Sequence, residues 1–277
     1  MTTPFADFDL ECSAAALYLY PIKACAALAV SEIEIDARGG AVGDRGWAIV
    51  DAEGIVTWQG AHPRLALVHP RFEDDGLALH AAGFDDVVTP PALIPCRVKI
   101  WNDLRARHDE FDALDAGDAV AAWLERVIDV PLRLVRLDDA AHAREGSNAL
   151  HLVFTPSMAA LDAQLAGAGL PPADPRRFRA NIVLAGAGYE FVEESVSALA
   201  WDGAAGPVAM EITAPCIRCV VPSVNPTSAL VDESVGDALT LLSQRRRPGA
   251  TVFGIYARGA AGARLRVGDT ARMALAF

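Results

Sequence analysis

The stretch Ala214-Pro215-Cys216-Ile217-Arg218-Cys219-Val220-Val221-Pro222 places two of the chain's five cysteines on either side of an arginine, just after a strand-like run. A neighbouring guanidinium favours a thiolate, which suits metal binding or nucleophilic chemistry. Two buried small hydrophobic residues would give the same pattern. A zinc site needs about four ligands, and the sequence offers no second C-x-x-C or H-x-x-x-H run. We therefore expect any metal at this motif to need a partner from outside the chain.

Composition excludes several classes of protein. A chain of 277 residues that is 52% hydrophobic can fill one large core or two packed ones. Its formal net charge of −12 argues against nucleic acid or an anionic membrane surface as a partner. The basic run Arg245-Arg246-Arg247 is typical of a helix end, where cations complement the helix dipole.

The sequence predicts a cytoplasmic protein without a membrane anchor. Residues 1–11 carry three acids and no lysine or arginine, unlike a secretory or organelle-targeting leader. The longest uncharged stretch, residues 146–161, falls short of the about 18 apolar residues of a spanning helix. The cysteines are odd in number and scattered, which fits reduced thiols better than a disulfide framework.

Hydrophobic periodicity predicts a β-rich chain with a few helices. Two-residue alternation between turn residues predicts short strands from residue 14 to 108, in a barrel or sandwich. Helical spacing predicts helices that begin after Asp115 and Ser157, as N-caps, and one around residues 230–244. Further strands are predicted at residues 132–136, 150–154, 181–184, 208–215, 251–258 and 270–275. The charged stretch 138–146 lacks periodicity and is interpreted as a boundary or surface loop.

Four further motifs accompany the cysteine motif in a collinear order. They are Tyr20-Pro21-Ile22-Lys23, Gly43-Asp44-Arg45-Gly46-Trp47, Arg177-Phe178-Arg179-Ala180-Asn181-Ile182-Val183 and Phe253-Gly254-Ile255-Tyr256. With these motifs the chain closely resembles the MOSC family, the molybdenum cofactor sulfurase C-terminal-like proteins, in the form preceded by an N-terminal β-barrel domain. This group includes the mitochondrial amidoxime-reducing components.

The resemblance implies a mixed α/β, β-rich fold. A MOSC N-terminal β-barrel domain is expected over residues 14–136, packed against a C-terminal MOSC β-barrel domain over residues 145–277 with peripheral helices.

The resemblance also implies a site for a molybdopterin cofactor. MOSC reductases hold its phosphate and pterin with the lysine of Y-P-x-K, the arginine of D-R-x-W, and the arginine and asparagine of F-R-x-N. Those residues are Lys23, Arg45, Arg179 and Asn181. Without the resemblance, each of these cations would be read as part of an ordinary surface ion pair. Ala24 departs from the family, because relatives often carry a serine there.

Further cofactor contacts follow from the same comparison. The loop before the strand at 150–154 implicates Ser147 and Asn148, although Glu145 and Gly146 depart from the usual pattern. Arg218 and Tyr256 match cofactor contacts. Cys219, the second cysteine of its motif, matches the molybdenum ligand and is the expected catalytic residue, whereas Cys216 is interpreted as a buried thiol. The histidines match no metal spacing and are interpreted as surface or satisfied core residues.

The implied function is a molybdenum-cofactor-dependent reductase of N-hydroxylated or related N-oxygenated small molecules. Its electrons would come from a separate ferredoxin-like or flavoprotein donor, because the sequence lacks the four-cysteine set of an iron–sulfur cluster and the G-x-G-x-x-G fingerprint. Two alternatives stay open: a sulfur-carrier or cofactor-handling protein with a persulfide on Cys219, and a catalytically silent cofactor-binding module. Pyridoxal phosphate is associated with the family only through proteins in which the domain is fused to a pyridoxal-phosphate enzyme, and this sequence shows no pyridoxal site.

Overall fold

A computed structural model of the chain describes residues 9–74, 76–144, 150–203 and 206–276. Its strands are β1 (Leu10–Leu19), β2 (Leu28–Val30), β3 (Glu32–Glu34), β4 (Trp47–Val50), β5 (His69–Glu73), β6 (Gly76–His80), β7 (Val87–Val88), β8 (Ile94–Asn102), β9 (Arg107–Asp115), β10 (Arg133–Leu137), β11 (Leu150–Phe154), β12 (Ile182–Ala185), β13 (Val196–Gly203), β14 (Gly206–Ile217), β15 (Val252–Gly259), β16 (Arg264–Arg266) and β17 (Thr270–Leu275). Its helices are α1 (Asp118–Ile128), α2 (Asp139–His142), α3 (Thr155–Ala166) and α4 (Glu233–Gln244). The predicted β-rich mixed fold is confirmed.

Seven strands form a closed barrel in the order β12-β11-β15-β14-β13-β17-β1. Closure depends on β1, whose first half pairs antiparallel with β17 and whose second half pairs antiparallel with β12. The ten-residue length of β1 makes this double pairing possible, because residues 10–13 pair with β17 and residues 13–17 pair with β12. A register shift between Ala14 and Ala16 lies within the pairing with β12. A closed barrel leaves no strand edge unpaired.

Apolar side chains fill the barrel, and two helices cover it from outside. The interior holds large buried residues such as Phe154, Ile182 and Trp201, which belong to a single core cluster. Helices α3 and α4 pack over a second cluster that includes Leu161 and Leu239. The helices therefore lie at the periphery, as expected for this fold.

A second layer lies beside the barrel, built from the four-stranded sheet β4-β10-β9-β8, the three-stranded sheet β5-β6-β7 and helix α1. The apolar face of α1 packs with Ile22, Trp47 and Leu65 in one core cluster. Trp123 on this helix also donates its indole N–H to the carbonyl of Asp85 at 2.6 Å. Burial of this amphipathic face explains why the helix predicted from spacing forms.

Both predicted helix caps were wrong in position. Helix α1 is capped by Gly117, while the Asp115 carboxylate accepts the Gly117 N–H at 2.6 Å and pairs with Arg133. Helix α3 begins at Thr155, before Ser157. The Ser157 hydroxyl is buried and donates instead to the Glu193 carboxyl at 2.7 Å, because a buried hydroxyl needs a hydrogen-bond partner.

The basic run lies at the end of a helix, as predicted. Helix α4 ends at Gln244, and Arg245 is its C-cap. Arg246 donates to the carbonyl of Leu242 at 2.6 Å and pairs with Glu194, so this cation is used within the fold.

The domain limits expected from the sequence stay a prediction. The strand pairing shows that strands of the two expected domains share one sheet. Strands β1 and β2, which lie within or overlap the first expected domain, belong to the same sheet as strands from residues 150–275. Among the described residues, no helix has both the length and the apolar character to cross a membrane.

The backbone at Gly254 in β15 accepts only glycine. Its φ is +78°, and a Cβ there would collide with the carbonyl oxygen of Leu152 and come within 2.6 Å of His151 Nε2. We expect Gly254→Ala to lower the free energy of unfolding by about 3 kcal/mol or more, from strain plus overpacking. Gly262 has a φ of +76° and open space around its Cβ position, so Gly262→Ala should cost only about 1 kcal/mol. Urea unfolding of both variants measures this, and equal losses would contradict the close approach.

Candidate functional site

A cavity of about 350 Å³ lies where barrel strands β11 and β15 face the segments around residues 36–45 and 137–144. Its charged or aromatic lining residues are Lys23, Asp36, Arg38, Asp44, Arg45, His142, Arg144, His151, Tyr256 and Arg258. Lysine and arginine outnumber carboxylates in this wall, although the whole chain carries a net charge of −12. The cavity is therefore a cationic site in an acidic protein, which suits an anionic ligand.

Two of the sequence motifs meet at this cavity through their backbones. The N–H of Lys23 donates to the carbonyl of Trp47 at 2.8 Å, and the N–H of Trp47 donates to Pro21 at 3.0 Å. The N–H of Arg45 donates to the carbonyl of Tyr20 at 2.8 Å, and the N–H of Tyr20 donates to the Asp44 carboxylate at 2.6 Å. These bonds hold the Y-P-x-K and D-R-x-W motifs as one unit at the end of β1.

Arg45 links this unit to the second half of the chain. Its backbone is left-handed, with a φ of 54°. Its guanidinium pairs with Asp44 and donates to Asn181 Oδ1 and to the carbonyl of Arg179, each at 3.3 Å. Burial lowers the pKa of Arg45, but the Asp44 carboxylate outweighs it and raises the pKa, so Arg45 is always charged.

Arg179 lies behind the cavity wall, outside the lining. A short 3-10 turn, Pro175–Phe178, ends at Arg179, whose φ of 56° is also left-handed. Its guanidinium carbon lies 4.2 Å from the centre of the Tyr20 ring, and Nη1 donates to the carbonyl of Cys25 at 2.6 Å. Burial lowers the pKa of Arg179 to about 10. Within the described residues its buried Nη2 has no hydrogen-bond partner.

Asn181 fixes the relative position of the elements around the cavity. It is fully buried, and its carbonyl oxygen accepts from the N–H of His151 at 3.1 Å as well as from Arg45. Its amide donates to the carbonyl of Tyr18 on β1 at 3.2 Å. Asn181 thus orients lining residues without lining the cavity itself.

The cysteine motif contributes the buried Cys216 and the half-buried Arg218, which lie next to Tyr256. Arg218 Nη1 lies 2.9 Å from Cys216 Sγ, and the Tyr256 hydroxyl lies 3.1 Å from the same sulfur. Burial raises the pKa of the Cys216 thiol, but the charges of His151 and Arg218 and hydrogen bonds from His151 and Tyr256 outweigh it and lower the pKa. Arg218 also donates to the carbonyl of Phe178 at 3.1 Å, so it is engaged within the fold.

Cys219 differs from Cys216 in its surroundings. Its thiol is free and exposed, beyond the end of β14, and it is not among the lining residues. Within the described part of the chain, no three His, Cys, Asp or Glu side chains come together as a metal site. Ser147 and Asn148 lie outside the described residues.

The structure therefore arranges the predicted residues in layers. Lys23, Arg45 and Tyr256 line the cavity, whereas Arg179, Asn181 and Arg218 lie behind it in contact with lining residues or their neighbours. The roles of these residues stay predictions. Of the four cations expected to contact the cofactor, Lys23 and Arg45 line the cavity, whereas Arg179 and Arg218 do not.

Part of the cavity wall comes from residues outside the sequence motifs. His151, expected at the surface or as a satisfied core residue, is buried, and it also lines the cavity, with its ring centre 5.3 Å from that of Tyr256. Its pairing partner in the sheet is Tyr256, which only the β11–β15 register reveals. The stretch interpreted as a boundary loop contributes His142 and Arg144 to the wall. No pattern in the sequence marks these residues, because their proximity depends on the tertiary fold.

Two family models match the chain. Residues 12–131 match the MOSC N-terminal beta barrel domain, and residues 139–272 match the MOSC domain. The chain is 32% identical over 244 residues to mitochondrial amidoxime-reducing component 1 of Mus musculus, which covers 79% of this chain and 67% of that protein. It is 29% identical over 263 residues to the molybdenum cofactor sulfurase of Drosophila persimilis, which covers 87% of this chain and 32% of that protein. The solved structure of the YUAD protein from Bacillus subtilis aligns with a TM-score of 0.46 and 11% identity, over 97% of this chain and 98% of that chain.

Lys23 carries a cost in stability that its removal should relieve. Burial and then the charge of Arg144 lower the pKa of Lys23 from 10.5 to about 8. The folded state therefore binds fewer protons than the unfolded state between about pH 8 and 10.5, so this lysine makes wild-type stability rise with pH through that window. At pH 7 we expect Lys23→Met to raise the free energy of unfolding by about 1 to 3 kcal/mol.

The gain from Lys23→Met should shrink as the pH approaches 10.5, and urea unfolding across this range measures it. Lys99, the other lysine of the sequence, lies on β8 and provides a matched control as Lys99→Met. An equal stability change in both variants at every pH would contradict the cationic surroundings of Lys23.

Cys216 should be a thiolate at neutral pH. We expect absorbance near 240 nm at pH 7.5 that disappears in Cys216→Ser, because Arg218 and His151 favour the charged form. Cys25 is the control, since burial raises the pKa of its thiol to about 12 and Cys25→Ser should leave the absorbance unchanged. If wild-type protein shows no thiolate absorbance at pH 7.5, burial keeps the Cys216 thiol protonated despite Arg218 and His151, and the prediction is wrong.

Proposed function

Because the chain belongs to the MOSC family, with a MOSC N-terminal β-barrel domain and a MOSC domain, we propose that it is a molybdenum-cofactor-dependent reductase of N-hydroxylated or related N-oxygenated small molecules. The family is associated with binding or handling of the molybdenum cofactor. The observation that carries the proposal is the cationic cavity of about 350 Å³, which the Y-P-x-K, D-R-x-W and F-G-x-Y motifs line together.

The residues around the cavity fit a pterin that carries a phosphate. Lys23 offers a point charge and Arg45 a planar fork of N–H donors, both of which bind phosphate oxygens. Tyr256 and His151 present aromatic rings to the same space. Arg179 and Asn181 support this wall from behind through their contacts with Tyr20 and Arg45. This donor set agrees with the chemistry of the proposed cofactor.

Cys219 is the proposed protein ligand of the metal. A thiolate is a soft ligand that suits molybdenum, and the Cys219 thiol is exposed, whereas Cys216 is buried against Arg218 and Tyr256. When bound, the molybdenum would supply the two-electron change that accepts an oxygen atom from the substrate. The chain's own cations bind and orient the cofactor.

A separate ferredoxin-like or flavoprotein partner is the proposed electron donor. The proposal rests on the sequence, which contains neither a four-cysteine iron–sulfur set nor a dinucleotide fingerprint. Steady reduction of an amidoxime by the purified chain with NADH alone would contradict it.

A second candidate function is sulfur carriage or cofactor handling with a persulfide on Cys219. The exposure of that thiol favours it, because a carried sulfur must be delivered to another molecule. The similarity to proteins named molybdenum cofactor sulfurase adds support, although this chain spans about a third of their length.

One experiment distinguishes the two functions. We expect the purified protein to contain molybdenum and a releasable pterin, each in an amount about equimolar with the chain. Cys219→Ser should keep the pterin and lose reduction of a simple amidoxime by an artificial electron donor, because a hydroxyl is a harder and much less acidic ligand. Cys216→Ser should retain most of the activity per bound molybdenum.

Other outcomes would overturn these assignments. An active Cys219→Ser beside an inactive Cys216→Ser would contradict the ligand assignment. Metal-free protein that carries labile sulfur, lost in Cys219→Ser, would favour sulfur carriage over reduction.

A further inference from the structure

Arg144 belongs to the cavity but to none of the sequence motifs. It follows helix α2, and its Nη1 donates to the carbonyl of Ala141 at 2.6 Å, which anchors the side chain to the end of that helix. It is partly buried and lines the same cavity as Lys23 and Arg45. Among the residues that the structure describes, no carboxylate forms an ion pair with Arg144.

The charges of Lys23, Arg45 and Arg144 act on one another. Arg144 makes the largest charge contribution to the lowered pKa of Lys23, after burial. Burial and then the charge of Arg45 lower the pKa of Arg144 itself. Asp103 offers Lys23 some attraction and Arg179 adds repulsion. Three cations are thus held close enough to repel in a partly buried space.

The carboxylates in the cavity wall pair with only one cation of this cluster. Asp44 pairs with Arg45, and Asp36 pairs with Arg38 at 3.0 Å. Burial and then the charges of Arg38 and Arg144 lower the pKa of His142, which favours its neutral form. Lys23 and Arg144 therefore remain without an anionic partner in the described part of the cavity, and such a cluster is relieved when an anion binds.

We propose that Arg144 is a further phosphate-binding residue, which adds a third cation to the site of Lys23 and Arg45 and binds the same dianionic phosphate of a phosphate monoester. An arginine can donate two parallel N–H bonds to phosphate oxygens, and Nη1 of Arg144 is positioned by its bond to Ala141. The assignment of that phosphate to the cofactor rests on the proposed function, whereas the anion site itself rests on the cavity alone.

Binding of inorganic phosphate to cofactor-free protein tests the site, measured by calorimetry at pH 7 and constant ionic strength. Arg144→Gln should weaken phosphate binding about tenfold or more, the loss expected for one charge-assisted hydrogen bond. Arg144→Lys should recover part of the affinity. Arg126→Gln, which removes an exposed arginine of α1, changes the net charge equally and should bind like wild type. Phosphate affinity of Arg144→Gln within twofold of wild type would overturn the proposal.

Thermal unfolding shows whether a loss of binding reflects a loss of fold. Arg144→Gln should unfold at or above the wild-type temperature, because it removes a repelled cation. If Arg144→Gln binds phosphate more weakly but also unfolds at a lower temperature, its loss of binding reflects a loss of fold. Full phosphate affinity in Arg144→Ala would then show that the guanidinium is not needed, which would count against the site.

Pterin content of protein purified from cells separates this inference from the proposed function. Arg144→Gln should carry several-fold less pterin per chain than Arg126→Gln. If wild type and Arg144→Gln carry equal pterin, the role of Arg144 fails while the proposed cofactor stands. If wild type carries no pterin but binds phosphate in an Arg144-dependent way, the anion site stands and the proposed function fails.

Discussion

The double pairing of β1 is the constraint on which the rest of the structure depends. One strand closes the barrel by bonding β17 along its first half and β12 along its second half. Where β1 ends, the chain turns into Tyr20 and Lys23, whose backbones bond the Asp44–Trp47 segment. Because β12 carries on from Asn181, the same pairing brings the F-R-x-N motif beside Tyr20 and Arg45. The strand pairing that closes the barrel therefore also brings together the residues around the cavity.

The cations in and behind the cavity wall are stabilised by different kinds of partner. Arg45 has a carboxylate, Arg179 has a carbonyl and the face of Tyr20, and Arg218 has the sulfur of Cys216. Cation–π contact and carbonyl acceptors compensate a buried guanidinium without cancelling its charge. The positive potential therefore persists toward the cavity, where Lys23 and Arg144 form no ion pair with a carboxylate within the described residues. Both Arg45 and Arg179 have left-handed backbones, a strain typical of residues that serve a site.

The sequence predicts much of the fold and less of the site. Strand alternation and helical spacing predict most elements, since burial of one face determines both patterns; the strand predicted at 270–275 coincides with β17. The caps at Asp115 and Ser157 were wrong because those side chains bind Arg133 and Glu193, partners distant in sequence. Collinear motifs led to Lys23, Arg45 and Tyr256 in the wall, but His151 and Arg144 needed the β11–β15 register and the path of α2, which local patterns do not encode.

The position of β1 also has a consequence for biosynthesis. It is made first among the barrel strands, yet its barrel partners begin at Ile182 and Thr270, so apart from its short pairing with β2 its edges wait unpaired while most of the chain is translated. Exposed strand edges are prone to pair with other chains, and contacts of such long sequence separation form slowly. Folding of the barrel must therefore follow synthesis of β17, and a nascent chain stalled before that strand would present an open, association-prone sheet to the cell's chaperones.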